Sequence, residues 1–186
     1  MSYLFDPDQL HEIVRSCIGL PHDEMLETLI TRIAQAYPGH AETEQDWFFN
    51  RLAGATGVIT VLHASLSEYV LVYGTPIGTE AFSGHYPLEI WDFMLEGEMW
   101  TYTPETHGIK NVTLPGDYAM LTRGQAKGFR LPEGAWMLEY GRGMVPLALP
   151  LVLGDVAVSA MNLPTLLKTL RVYGRMAARE LLKGKI

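Results

Sequence analysis

The chain has 186 residues, 48% of them hydrophobic and 19% charged, which suits one domain with more apolar surface than a single core hides. A net charge of −7 excludes a general nucleic-acid binder, and Cys17, the only cysteine, excludes an internal disulfide or a cysteine-built zinc cage. The charge is uneven: from Pro164 onward six basic residues (Lys168, Arg171, Arg175, Arg179, Lys183, Lys185) accompany one acid, Glu180, so an acidic body carries a basic end suited to an anionic surface.

The start, Met1 to Pro7, lacks the basic and apolar regions of a secretory signal, so the chain is expected to stay in the compartment where it is made. Asp6-Pro7 followed by Leu10, Ile13, Val14 and Cys17 predicts a capped helix with an apolar stripe, ending near Gly19. A second helix opens at Pro21-His22-Asp23, carries Met25, Leu26, Leu29, Ile30, Ile33 and Tyr37 on one face, and stops at Pro38-Gly39. Asp46-Trp47-Phe48-Phe49 is bulky enough to plug the end of a sheet. From Val58 the texture turns to short β-branched or apolar runs, at 58–62, 68–73, 88–93, 98–103, 110–114, 118–122 and 135–140. Turn signals such as Gly74-Thr75-Pro76 and Pro115-Gly116-Asp117 punctuate them, a cadence that predicts an antiparallel sandwich or barrel rather than a βαβ fold. A small closed barrel can hold one ligand. The expected division is N-terminal helices over 1–50, a ligand-binding barrel over 57–143 and C-terminal helices over 144–186, all in one domain.

The apolar run after Gly143 is interrupted by Pro146, Pro150 and Asp155, which makes it a poor membrane span. A last helix from Pro164 to about Lys183 carries Leu166, Leu167, Leu170, Ala177, Ala178, Leu181 and Leu182 along one side and its basic residues along another. That form fits a helix lying in a membrane interface, and equally a helix packed on the barrel with a solvated basic face.

The residue that asks for chemistry is Glu139. It interrupts Ala135-Trp136-Met137-Leu138, a strand apolar on both faces, and an ionised carboxylate there is costly unless paired or protonated. It can pair internally with an arginine such as Arg142, or face an apolar cavity and handle a proton or a cation. A second acid-bearing strand, Glu89-Ile90-Trp91-Asp92-Phe93-Met94, alternates so that Asp92 shares a face with Ile90 and Met94, and Glu89 lies on the other. Only one of Glu89 and Asp92 can therefore join Glu139. Two carboxyl groups brought within hydrogen-bond distance share a proton, and such a dyad can balance a bound ammonium or carbocation, or move a proton on and off an alkene. Tyr69, Tyr73, Tyr86, Trp91, Trp136 and Tyr140 are core residues by type, yet together they would line a pocket for a flat polycyclic or amine ligand. His63, His85 and His107 stand singly, without metal-ligand spacing, and no nucleophile motif or phosphate-cradling loop is present.

Three strings carry a family resemblance: Leu62-His63-Ala64-Ser65-Leu66-Ser67-Glu68-Tyr69-Val70-Leu71-Val72-Tyr73-Gly74-Thr75, Ser83-Gly84-His85-Tyr86 through Glu89 to Asp92, and Trp136-Met137-Leu138-Glu139-Tyr140-Gly141-Arg142-Gly143. Together with Gly78-Thr79-Glu80 and Ala178-Arg179-Glu180-Leu181-Leu182, they make the chain resemble the sigma-1 receptor and fungal sterol C8–C7 isomerase family over nearly its whole length. The resemblance implies an α+β, mainly β fold: a cupin-like antiparallel β-barrel with N-terminal helices and two C-terminal amphipathic or apolar helices covering the barrel mouth. It implies a Δ8 to Δ7 sterol isomerase with Asp92 and Glu139 as the catalytic pair, or alternatively a non-catalytic binder of hydrophobic amines or lipids. The ligand-binding residues expected are Tyr69, Tyr73, Tyr86, Glu89, Trp136, Leu121 and Phe82, with no metal and no organic cofactor. The partners implied are a sterol-like or cationic amphiphilic small molecule and a membrane surface met through the C-terminal helices. Assembly as a homotrimer, no nucleic acid and a peripheral place on the cytoplasmic or an endomembrane face complete the expectation. The chain departs from the family in starting where the N-terminal anchor would end, and in Ala55, Ala81 and Phe82, which replace a tryptophan, a glycine and a histidine. These changes leave the shape of the substrate open.

Overall fold

The computed structural model describes residues 3–52, 54–159 and 161–185. Helix α1 (Pro7–Arg15) begins where Asp6 accepts hydrogen bonds from the backbone N–H groups of Asp8 and Gln9, satisfying donors that the first turn leaves free. Helix α2 (His22–Ala36) follows a proline and has no side-chain cap; its stability rests on burying Met25, Leu26, Leu29, Ile30 and Ile33. The strands are β1 (Phe48–Leu52), β2 (Ala55–Ala64), β3 (Glu68–Thr75), β4 (Thr79–Phe82), β5 (Leu88–Glu96), β6 (Met99–Tyr102), β7 (Asn111–Thr113), β8 (Tyr118–Leu121), β9 (Gly128–Leu131) and β10 (Ala135–Gly143). A short helix α3 (Leu149–Gly154) runs into a wide turn of π-helix (Asp155–Ser159), and α4 (Leu163–Leu182) closes the chain.

The strands form two antiparallel sheets, one of six in the order β1-β2-β3-β10-β5-β8 and one of four in the order β4-β9-β6-β7, the cupin-like barrel expected. Strand β10 is central, between β3 and β5, and its alternation sorts the larger sheet into two faces. Leu138 and Tyr140, with Val70, Val72, Trp91 and Phe93 of the neighbouring strands, meet α1 and α2 in one hydrophobic core. Met137, with Ile59, Tyr73 and Met94, faces the other way, into a second core shared with Met99 and Leu131 of the smaller sheet and with Val172 and Met176 of α4. The run of apolar residues in β10 that Glu139 interrupts is therefore explained by both faces of the strand being covered.

Three strands differ from the sequence reading. Phe48 and Phe49, read as a plug, open β1 and pair with Ile59 and Val58 of β2, so the sheet begins inside the segment assigned to N-terminal helices. Strands β4 and β9, which pair with each other, are only four residues long and were not anticipated. The basic face of α4 also differs from a stripe offered to an anionic surface. Lys168 binds Asp46 at 2.6 Å, Arg179 binds Glu42 at 2.7 Å, Arg175 reaches Glu42 at 3.9 Å, Lys183 binds Glu180 at 2.8 Å and Lys185 binds Glu68 at 2.7 Å. Lys168, Arg175, Arg179 and Lys185 tie this C-terminal segment to the rest of the chain, and Lys183 pairs with Glu180 of the same helix. The outward side of α4 carries exposed Leu163, Leu167, Leu170, Leu181 and Leu182 beside exposed Arg171 and Arg175. Among the described residues no helix is long and apolar enough to cross a membrane.

Candidate functional site

The inner face of the six-stranded sheet, the smaller sheet and the C-terminal helices enclose a cavity of about 190 Å³. Its walls are mainly aliphatic and aromatic, from Ile59, Val61 and Leu71 on one side to Ile90, Leu121 and Phe129 on the other. Val145, Ala148, Leu149 and Val152 close one side, and α4 lays Thr169, Val172 and Tyr173 across it.

Glu139 points into this space. Directly opposite it across the β10–β5 ladder stands Asp92, so the two inward-facing carboxylates form a cross-strand pair. Each has its own partner. The Tyr69 hydroxyl donates to Glu139 Oε1 at 2.6 Å, and Lys127 Nζ donates to Asp92 Oδ2 at 2.6 Å. Burial pushes the Glu139 carboxyl up to about 7, the nearby Asp92 charge adds to the rise, and the Tyr69 hydrogen bond and the Lys127 charge oppose it. Burial likewise raises the phenols of Tyr69, Tyr73 and Tyr86, Tyr86 to about 12, with the Glu139 charge the next cause in each. All three stay protonated, and Tyr69 donates to Glu139. The buried hydroxyls of Tyr73 and Thr169, both on the cavity wall, have no hydrogen-bond partner among the described residues.

A glycine makes the Tyr69 contact possible. Gly141 pairs with Tyr69 across β10 and β3, and a Cβ there would lie 2.3 Å from the Tyr69 ring. The ring occupies the space a side chain would take and carries its hydroxyl to Glu139. Gly141→Ala is expected to displace the ring and cost about 1–3 kcal/mol, read as a lower urea midpoint at unchanged slope. Tyr69→Phe keeps the packing and removes only the donor. Because that hydrogen bond favours the ionised carboxylate, the variant should titrate Glu139 above the wild-type midpoint, which a pH series of the carboxyl infrared band would read.

Of the residues singled out in the sequence, Asp92, Glu139, Tyr69, Tyr73, Tyr86, Leu121 and Phe82 all line the cavity, Phe82 at a half-exposed rim. Ala55, the departure from tryptophan, lines it as well. Two expected ligand contacts are elsewhere. Glu89 faces away and binds Arg142 Nε at 2.7 Å, while the Arg142 guanidinium lies 4.7 Å from the Trp91 ring centre. That pairing also removes Arg142 as a partner for Glu139, since odd and even positions of β10 point to opposite faces. Trp136 is turned toward the helices, edge-on to Trp47 at 5.5 Å and to His22 at 4.7 Å, over Gly74, where a Cβ would lie 1.9 Å from its ring. Among the described residues no group of three or more His, Cys, Asp or Glu is placed to hold a metal ion.

Lys127 was not anticipated. Its stretch, Gly124-Gln125-Ala126-Lys127-Gly128, reads as a polar loop. The available signal was alternation: Lys127, Phe129 and Leu131 occupy one side of a short run, and the last two are apolar. Thr169 and Tyr173 escaped notice because helical periodicity marks the face of α4 that packs without saying that the face is a cavity wall.

An apolar, aromatic-lined chamber with a carboxylate pair on its wall has the form of a small-molecule pocket. The chain belongs to the family described as ERG2 and Sigma1 receptor like protein, which it matches over residues 1–185. It is similar to the sigma non-opioid intracellular receptor 1 of Gallus gallus, with 36% identity over 173 residues, 92% of this chain and 78% of that protein. It is similar also to the C-8 sterol isomerase of Aspergillus fumigatus, with 33% identity over 187 residues, 98% of this chain and 78% of that protein. Among solved structures, an RmlC-like cupin from Shewanella frigidimarina superimposes with a TM-score of 0.44 and 14% identity, covering 53% of this chain and 84% of that one.

Proposed function

We propose that this protein is a sterol double-bond isomerase that converts a Δ8 sterol, or a related polycyclic isoprenoid, to the Δ7 isomer. The observation that supports this reading best is the state of Glu139: a carboxyl raised to about 7 inside an apolar chamber, a neutral acid near physiological pH. In the reaction Glu139 gives its proton to carbon 9 of the 8,9 double bond, and positive charge develops at carbon 8. The anionic carboxylate pair stabilises that charge in a site of low polarity, and a proton leaves carbon 7 to the pair as the 7,8 double bond forms. One proton enters and one leaves, so the step needs no oxidant or reductant. Tyr69 orients Glu139 through the hydrogen bond from its hydroxyl.

Incubating the protein with a Δ8 sterol in deuterated water tests the reading. Deuterium at carbon 9 of a Δ7 product supports it, and unchanged sterol beside an active control enzyme overturns it. A receptor for hydrophobic amines is the second reading, supported by the similarity to the receptor and by an aromatic-lined cavity with an ionisable acid. Either ligand partitions into lipid. The exposed leucines of α4, with Leu147, Val158 and Met161 nearby in the chain, suit a peripheral place on a membrane surface. Exposed Tyr102 and Val112 on the smaller sheet suit the self-association expected of a homotrimer, which sedimentation equilibrium would detect.

A further inference from the structure

We infer that Lys127 holds Asp92 as the fixed anion of the carboxylate pair, so that Glu139 alone carries the proton and the site prefers a neutral polycyclic alkene to an ammonium ion. The inference deepens the isomerase reading above and rests on it for the identity of the substrate.

Two facing carboxylates in an apolar site would ordinarily share one proton, and neither would be a dedicated acid. Here the two are made unlike by their neighbours. Lys127 and Asp92 side chains are only 8% and 10% exposed and meet at 2.6 Å, so each supplies the charge that the other needs in order to stay ionised away from water. Glu139 has a phenol instead of a cation, and its hydroxyl partner can hydrogen-bond either protonation state. The proton therefore has one place to reside.

The charge count follows. With Glu139 protonated, Asp92 and Lys127 cancel and the chamber is neutral, the state an uncharged alkene needs on entering. An ammonium ion entering the same chamber finds a counter-ion only after Glu139 gives up its proton, and it is repelled by Lys127. Without Lys127 the pair with one proton would carry a negative charge, which suits a permanent cation. Lys127 acts through Asp92 and is a positioning residue. The charged and titratable groups that interact with Glu139 are Tyr69 and Tyr73 from β3, Asp92 from β5, Lys127 ahead of β9 and Tyr86 between β4 and β5.

The test uses the full chain as wild type, Lys127→Met and Lys127→Arg, with the protonated-carboxyl infrared band followed against pH and binding of N,N-dimethyldodecylamine measured at pH 7. The wild-type band should vanish in Glu139→Gln, and in Asp92→Asn it should remain at low pH but disappear at a lower pH than in wild type, because the Asp92 charge is gone and Lys127 is left unpaired. In Lys127→Met the band should persist to at least about one pH unit higher and the amine should bind about 10-fold more tightly. Lys127→Arg should restore both. A wild-type band that belongs to Asp92, a folded Lys127→Met with wild-type titration and amine affinity, or a Lys127→Arg that behaves as Lys127→Met overturns the inference. If Lys127→Met does not fold, the wild-type assignment and the Lys127→Arg titration decide. Should the deuterium experiment fail while the infrared assignments hold, the isomerase reading falls and the role of Lys127 stands.

Discussion

Glu139→Gln is expected to lower the isomerisation rate by about 10²–10⁴-fold while leaving the fold intact, the loss typical of removing a positioned acid. The substitution is nearly isosteric, and glutamine can still accept from Tyr69, so packing and the hydrogen bond survive while the transferable proton does not. The pH dependence separates this from a general loss. Because the folded carboxyl titrates near 7, wild-type activity should fall as pH rises through that value, as the acid form disappears. Stability should follow the same group with a definite sign. Burial raises the Glu139 carboxyl from 4.5 to about 7, so the folded state binds the extra proton between those values, and the stability present below 4.5 is lost as pH rises through 7. Glu139→Gln has no such proton to lose. It should therefore unfold at a higher temperature than wild type at pH 8, with the difference shrinking toward pH 5. A variant that is inactive and also less stable at pH 8 would mean that Glu139 is a structural anion instead of an acid.

Much of this site was legible because strands obey a strict period of two. Once 88–93 and 135–140 are read as strands, alternation alone separates Asp92 from Glu89, and the structure puts Asp92 opposite Glu139 and Glu89 outside. The same rule applied to β10 would have turned Trp136 away from Glu139, since they are three residues apart; its aromatic character hid that. Register was not legible. Whether Asp92 lies level with Glu139 or two residues along depends on how β5 and β10, strands not adjacent in the chain, are brought together, which no residue type announces. Strands β1, β4 and β9 were missed for related reasons. Each draws its stability from the strand it pairs with rather than from its own four or five residues, so local pattern carries little signal. The basic stripe of α4 shows a further limit: helical spacing gives the face on which Lys168, Arg175 and Arg179 lie, but only the tertiary structure shows that Asp46 and Glu42 are waiting there.

Breaking the Lys127–Asp92 pair from either side should destabilise the protein by roughly 3–5 kcal/mol, and removing both partners together should cost less than removing either one. At 2.6 Å with both side chains about nine-tenths buried, the pair is held by mutual compensation; the substitution of one member strands the other charge in a cavity wall without water. The two single variants should respond to pH in opposite directions. In Asp92→Asn the stranded group is an ammonium, which is relieved by losing a proton, so the cost should be greatest at low pH and ease as pH rises. In Lys127→Met the stranded group is a carboxylate beside Glu139, relieved by gaining a proton, so the cost should be greatest at high pH. The double variant Asp92→Leu with Lys127→Met leaves Glu139 a lone acid in an apolar wall, and chemical denaturation across pH 5 to 9 should find it flatter than either single variant. Equal pH slopes in the two single variants would show that their cost comes from lost packing, with no charge left behind. Opposite slopes would show a buried ion pair whose presence makes the two neighbouring acids chemically different.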